Sequence, residues 1–405
     1  MRRGTNLPAV GGFNQTVILD LIRRSTEGVS RVEIADTTGL SQQTISNVAR
    51  RLLDDGLITE AGKHIQGPGK PRMMLELRAR SRFAVGVHLD PAIMTYVVID
   101  LRGAIVAHSQ VRTPEAGRPA EIIETMAASV EAILAASGVD RSLVIGVGIA
   151  SPGPIDATRG IVVDPPLLEG WKDVPLRDAL ATATGMPVLL EKDVNAAAVA
   201  EIWLAGTQSE NFAFFYLGTG IGIGLALGGE VLRGATGNAG EGGTLVVPGA
   251  GLPASRRSEK LGHLATPGYL VDQAVEAGLL EPRGAGLPGV EAGFSDLVAL
   301  ADGGNEAAAG ILDRAAGLIG ASLVTVVNLL DVDRVVFGGP FWEQVSARFL
   351  PIIAHVVNGS ADRVTRHPVD LGGSGIGDDV AAVGAACLVL DTALSPRPSA
   401  LLIGN

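Results

Sequence analysis

Two rhythms of apolar and polar residues divide the chain. Through the first sixty positions apolar residues return every three or four places, the period of a helix with one buried face. Val17, Ile18, Leu21 and Ile22 predict a helix over 14–24 in "NQTVILDLIRR". Ser30 and Glu33 stand at capping-box spacing and start a second, short helix that runs to about Thr38 and stops at Gly39. Ser41 is placed to cap a third, in which Ile45, Val48, Leu52 and Leu53 keep the period until Gly56. Two short strands follow, "LITEA" and "RMMLEL", joined by the Gly- and Pro-rich loop "GKHIQGPGKPR".

From about Arg80 the apolar residues gather into short continuous runs. "FAVGVHLD", "TYVVID" and "AIVAHSQV" read as strands, a helix covers about 120–136, and "SLVIGVGIA" is a buried strand that ends in the rigid turn "SPGPID". "PVLLE" is another strand, followed by the Ala-rich helix "NAAAVAEIWLA". A second half opens with "FAFFYLGTGIGIGLALGGEVLRG", two strands about a glycine turn at 218–222, and closes with the strand "RVVFGGP". The pattern predicts mixed sheets flanked by helices, in two halves that each begin with antiparallel strands around a turn. The longest apolar segment, "AAGLIGASLVTVVNLL", is too short and too polar to span a bilayer comfortably and reads as a buried helix.

Composition narrows the class. A chain of 405 residues is too long for one ordinary core, so two or three domains are expected. A single cysteine, Cys387, excludes an intramolecular disulfide and any Cys-rich zinc site, and a reducing cytoplasm fits it. "MRRGTNLPAVGG" is positively charged but has no apolar run of signal-peptide length behind it, so neither export nor membrane association is expected.

Charge then separates the first module from the rest. Residues 1–80 carry 12 Lys and Arg against 8 Asp and Glu, while the remainder carries 20 against 35. A basic module on an acidic body is the asymmetry of a protein with one part on nucleic acid. The outer face of the third predicted helix presents Gln42, Gln43, Thr44, Ser46, Asn47, Arg50 and Arg51, and the loop between the strands adds Lys63, Lys70 and Arg72. Gln and Asn pair bidentately with adenine, and Arg serves guanine or phosphate. Three short helices followed by a two-stranded, cation-bearing hairpin describe a winged helix-turn-helix. The same residues also suit a small polar interaction domain, which local charge and wing together disfavour.

Several stretches carry chemistry. "EKDVNAAAVAE" sets Asp193 at a strand end before a helix, where a carboxylate either takes a proton from a substrate hydroxyl or caps the helix. "GVGIASPGPID", "EKDVNAAAVAE", "LGTGIGIG", "GNAGEGG" and "VVFGGP" resemble, in order and spacing, the ROK family (repressor, open reading frame, kinase), and "GLSQQTISNVARRLLDDGLI" resembles the DNA-binding domain of its repressor branch. The resemblance implies an α/β chain: an N-terminal winged helix-turn-helix over 1–80, then a two-lobed actin-like, sugar-kinase-like body. Its lobes would cover 81–205 and 206–379, with a helix at 380–392 returning to the first. Dimers or tetramers are usual in the family.

The family's kinase motifs fall unevenly on this chain. The catalytic base would be Asp193, but the first phosphate loop, D-x-G-G-T in the kinases, here reads "HLDPA". His88 stands for the acid, Asp90 and Pro91 for the glycines, and Ala92 for the Thr; a proline removes an N–H donor and a carboxylate repels phosphate. The second loop, "LGTGIGIG", is intact, and glycines there serve a tight turn as well as a nucleotide. No thiolate stands where the family's zinc cluster would be, Thr244 replaces its His, and His263 alone makes no metal site. With Trp171 as anchor, the family's sugar-contacting Asn is Leu167, and Lys192 replaces the Asn before the base. An effector pocket would use Asp193, Glu241, Lys192 and Gly153; Lys192 either suits an acidic or phosphorylated sugar or neutralises Glu191 or Asp193.

The expectation is a DNA-binding transcription regulator, a repressor, that meets double-stranded operator DNA as a homo-oligomer. It would use no cofactor and no metal, answer to a sugar or sugar phosphate, and keep Asp193 as a vestigial base. The alternatives are an active ATP-dependent sugar kinase with an accessory DNA-binding domain, and a regulator that has lost its effector.

Overall fold

The computed structural model describes residues 7–64, 72–114, 118–165, 168, 170–204, 210–248, 258–282, 284 and 286–394. The first module holds helix α1 (Leu7–Arg24), the short strand β1 (Val29–Ser30), helices α2 (Arg31–Thr38) and α3 (Gln42–Asp54), and strands β2 (Ile58–His64) and β3 (Arg72–Leu77). Helix α1 starts seven residues earlier than the periodicity predicts; Gly11 and Gly12 hide the pattern, while Pro8 fits a first turn, where its missing N–H is no loss. Both predicted caps form. Ser30 accepts from the Glu33 N–H while Glu33 reaches back to the Ser30 N–H at 2.7 Å, and Ser41 accepts from the Thr44 N–H. Gly39, at φ 69°, ends α2 in the left-handed region that a side chain resists. Ile34, Ile45, Val48 and Leu52 pack with Ile18 and Ile22 into the module's core. The hairpin β2–β3 is joined by β1 in a three-stranded antiparallel sheet of order β1-β3-β2; two residues are too short a run for β1 to show in the sequence.

The body begins with strands β4 (Phe83–His88), β5 (Ile93–Asp100) and β6 (Ile105–Arg112), helix α4 (Pro119–Ser137), and strands β7 (Val144–Ser151), β8 (Ile155–Asp156) and β9 (Ile161–Val162). Helix α5 (Leu176–Thr184), strand β10 (Val188–Lys192) and helix α6 (Asp193–Leu204) follow. The sheet order is β10-β7-β4-β5-β6, antiparallel along the β4–β5–β6 meander and parallel from β4 through β7 to β10.

The second lobe repeats this plan. Strands β11 (Phe212–Leu217), β12 (Ile221–Leu227) and β13 (Glu230–Val231) form a meander, and the small strands β14 (Val246–Pro248) and β15 (Ser258–Lys260) pair beside it. Helices α7 (Pro267–Glu276), α8 (Leu287–Asp302) and α9 (Glu306–Leu330), strand β16 (Arg334–Gly338), helix α10 (Trp342–Gly359) and strand β17 (Asp370–Gly373) complete it, before helix α11 (Val380–Leu394). The order β13-β12-β11-β16-β17 is that of the first sheet, with β16 and β17 again parallel to the central strand. The apolar segment 315–330 is the second half of α9, whose inner face lies in this lobe's core.

Helices α6 and α11 pack against each other between the two sheets. Glycine sets their approach. A Cβ at Gly86 or Gly148 would stand 1.9 or 1.8 Å from a carbonyl oxygen of α11, and one at Gly384 would stand 1.8 Å from the Ala196 carbonyl oxygen of α6. On the other side Gly224 of β12 meets the Val194 carbonyl at 2.2 Å. Helix α6 is thus gripped between α11 and the second sheet, with its N-terminus at the cleft.

At its C-terminus α6 carries the winged helix. The Arg23 guanidinium of α1 lies 3.7 Å over the Trp203 ring and donates from Nη1 to the Trp203 carbonyl at 2.8 Å. Asp20 accepts from both Arg23 and Arg24. Burial pulls the Arg23 pKa down against the pull of Asp20. A second tie runs from Arg102 Nη1 to the Ser25 carbonyl.

Candidate functional site

The outer face of α3 is built by its two periodicities: Ile45, Val48, Ala49 and Leu52 are spent on the core, which turns the remaining positions outward. Gln42, Gln43, Asn47, Arg50 and Arg51 are exposed, and Thr44 and Ser46 are half-buried. Gln43 donates to Asn47 one turn on, and Thr44 is tied to the cap residue Ser41, so these side chains are held along the helix. Arg50 and Arg51 make no ion pair among the described residues, whereas Arg31 is matched by Glu60 at 2.8 Å. Arg72 is exposed at the start of β3. Lys70 lies outside the described residues.

The second region is a cavity of about 530 Å³ between the lobes. Asp193, Lys192, Gly153 and Glu241 all line it, together with the "HLDPA" turn, the glycine turn 218–220, Thr244 and His263. Six separate stretches of sequence therefore meet in one place. Trp171 does not: it is buried in the first lobe's core, and Leu167 lies outside the described residues.

Asp193 begins α6, two residues before the predicted helix start, and its Oδ1 accepts from the adjacent Val194 N–H at 2.7 Å. It is thus a first-turn residue rather than a cap; a carboxylate there is favoured by the helix dipole. Burial pushes its pKa up, against the opposing pull of His88 and Lys192.

Lys192 is paired with Glu241, not with Glu191. The buried Glu191 carboxylate is taken by Arg233 at 2.5 Å and also accepts from Asn195 Nδ2 at 3.0 Å. Arg233 lies 42 positions away, a partner local spacing does not reveal. Gly153 lies close to both: a Cβ there would stand 3.1 Å from Lys192 Cε and 3.5 Å from Glu241 Oε1. Asn238 clamps the same turn, accepting from the Ile155 N–H at 2.8 Å and donating to its carbonyl at 2.6 Å. "GNAGEGG" of the second lobe is so fastened to "SPGPID" of the first.

The two loops at the phosphate-loop positions are built as follows. In "HLDPA", Asp90 Oδ1 accepts from the Ala92 N–H at 2.8 Å and the Ile93 N–H at 3.4 Å, and the Leu89 N–H is given to Ala150. Pro91 has none. In "LGTGIGIG" no glycine takes the left-handed conformation; close approach is what requires Gly218, Gly222 and Gly224. Gly222 makes room for Val194 and Gly218 for the Tyr216 ring, while a Cβ at Gly220 would meet nothing within 4 Å. Thr244 donates to the Glu241 carbonyl at 2.6 Å, and His263 Nδ1 faces Glu259 at 3.0 Å. Among the described residues no group of three or more His, Cys, Asp or Glu is arranged to hold a metal ion. Cys387 is buried in α11.

A winged helix seated on two lobes of matching five-stranded topology, with a carboxylate-bearing cleft between them, defines a DNA-binding module on a sugar-kinase-like body. The ROK family model matches residues 85–392, and the MarR family model matches residues 12–64. The chain belongs to the ROK family. It is 27% identical over 235 residues to the xylose repressor of Bacillus subtilis, a match spanning 58% of this chain and 60% of that one. Among solved structures, a ROK family transcriptional regulator described as a homolog of the E. coli MLC protein superposes over 98% of this chain and 100% of its own, with TM-score 0.78 and 21% identity. A ROK family glucokinase from Streptomyces griseus, solved with glucose and AMPPNP, covers 76% of this chain and 98% of its own, with TM-score 0.61 and 26% identity.

Proposed function

We propose that this protein is a sugar-responsive, DNA-binding transcription regulator, a repressor, whose kinase-like body senses an effector and no longer transfers phosphate. The observation that carries the reading is the seating of a MarR-type winged helix on a ROK body through α6. The exposed side chains Gln42, Gln43, Asn47, Arg50 and Arg51, with Thr44 and Ser46 beside them, enter the major groove, and Arg72 and Lys70 of the wing meet the backbone. Two copies in a homo-oligomer set the spacing of two half-sites.

Asp193, Lys192, Glu241 and Gly153 form the effector pocket. Because Lys192 is already matched by Glu241 and the carboxylates of Asp193 and Asp90 line the same cavity, the pocket favours a neutral sugar over a sugar phosphate. Helix α6 joins that pocket to the DNA-binding module: its first residue is Asp193 and its penultimate one is Trp203, the seat of Arg23. An effector that binds one lobe arrangement better shifts α6, and the two α3 helices cease to match their half-sites.

The loss of phosphate transfer rests on "HLDPA", whose N–H groups at Leu89 and Ala92 are consumed within the protein and whose proline offers none. Phosphoryl transfer needs such donors around the phosphates. One experiment addresses both points. The purified chain should shift DNA from its own upstream region in a gel, release it on addition of a sugar such as D-xylose or D-glucose, and consume no ATP with that sugar. DNA that neither its own upstream region nor neighbouring sugar-gene promoters can supply ends the regulator reading; sugar-dependent ATP turnover ends the claim of lost catalysis.

A further inference from the structure

Tyr216 stands near the end of β11 on the side facing the first lobe, with its ring edge-on to His88 and the centroids 6.4 Å apart. It lines the cavity, yet it is 5% exposed and its hydroxyl has no hydrogen-bond partner among the described residues. Packing does not ask for that oxygen. A phenylalanine fills the same volume, and β11 uses Phe at 212, 214 and 215. A buried hydroxyl without a partner destabilises a fold, so its presence here points to a group that is absent when the cavity is empty.

The surroundings say what that group is. Burial, with the negative charges of Asp193, Asp90 and Asp378 around it, holds the phenol far above its ordinary pKa, so it keeps its proton and offers a donor. Asp193, whose charge acts on the phenol, lines the same cavity as an acceptor, with Oδ1 bonded to the Val194 N–H. A donor and an acceptor lining one cavity match a pair of neighbouring hydroxyl groups. The ring also has its place prepared: a Cβ at Gly218 would come within 2.8 Å of Tyr216 Cε1, so the glycine turn accommodates this side chain.

Resting on the sugar-effector reading above, we propose that Tyr216 is an effector-binding residue, its O–H donating to one oxygen of a neutral polyhydroxylated ligand whose adjacent hydroxyl donates to Asp193. The contact would make recognition sensitive to the loss of a single ligand hydroxyl, because each group then leaves its partner unpaired.

The test is Tyr216→Phe in the full chain, measured by calorimetric titration and thermal melting with D-glucose, D-xylose and D-glucose 6-phosphate. The wild type should bind at least one neutral sugar, and Tyr216→Phe should weaken that binding about tenfold while the ligand-free variant melts at the same temperature or higher. A monodeoxy analogue lacking the paired hydroxyl should bind wild type and variant alike. Equal affinity of wild type and variant for the intact sugar overturns the role of Tyr216 and leaves the sugar reading standing. A ligand-free variant that melts several degrees lower assigns the hydroxyl to the fold and also overturns it. A wild type that binds none of the three overturns the sugar reading and this contact together.

Discussion

Asp193 shows how far a residue's surroundings can depart from its motif. In sequence it is a carboxylate at a strand end, and both readings of such a group, base or cap, were open; in the structure it is the first residue of α6 and lies largely enclosed, its pKa raised mainly by burial. Its neighbours His88 and Lys192 pull the pKa down, while Asp90 pushes with burial. The sign of the consequence is fixed by linkage. A carboxyl whose folded pKa lies above its unfolded value of about 4 binds its proton more tightly when folded, so stability falls as pH rises through that window. Asp193→Asn should therefore melt higher than the wild type at pH 7 to 8, with the difference closing toward pH 4; thermal melts across that range check it, and a variant that melts lower at neutral pH would contradict it. The partners of Lys192 and Glu191 were not legible, because Glu241 and Arg233 lie more than forty residues away and only the fastening of "GNAGEGG" on "SPGPID" brings them near. Tyr216 was hidden for a simpler reason: in "FAFFYL" a tyrosine reads as one more apolar strand residue.

Among the elements, α6 had the least informative sequence and the most consequential place. "NAAAVAEIWLA" reads as a small-residue helix to be buried, and buried it is, between β12 and α11. Small residues let it lie close enough to both for the two glycine seats, Gly224 against Val194 and Gly384 against Ala196, to fix its position. On the proposed function, a helix held that tightly would pass a displacement at Asp193 on to Trp203 rather than bend to absorb it. Arg23→Met should test this delivery. Loss of the stacked guanidinium and its bond to the Trp203 carbonyl should lower stability by about 2 kcal/mol and leave DNA binding and sugar binding individually intact. The coupling between them, about 1–3 kcal/mol in such systems, should fall toward zero in a gel-shift titration with and without sugar; undiminished release of DNA by the sugar would place the coupling elsewhere. The caps at Ser30 and Ser41, by contrast, were fully legible, since capping depends on residues three apart and on nothing tertiary.

For the whole molecule, the order of strands was the part least accessible from the sequence, though the two-halved plan was visible in the repeated meander and in the motifs. The runs "FAVGVHLD" and "FAFFYLG" announce buried strands, but which strand lies beside which is decided by crossovers through α4, α5 and α9, and apolar runs carry no such address. The charge asymmetry did carry one, since it assigns DNA to the basic end. Arg51→Ala, at an exposed position without an ion-pair partner among the described residues, should weaken operator binding broadly and reduce the slope of log affinity against log salt by about 1. Titrations at four salt concentrations measure that slope, and an unchanged slope would take Arg51 off the phosphate backbone. The joint between α1 and α6 bears on how such a molecule can be taken apart. An indole and a guanidinium, each spent on the other across the boundary between the two modules, make the winged helix a poor candidate for transplantation: cut free near residue 80, it would carry an uncovered Arg23, and the body left behind would expose Trp203. A chimera that borrows this DNA-binding unit, or lends it a different sensor, has to carry both halves of that joint.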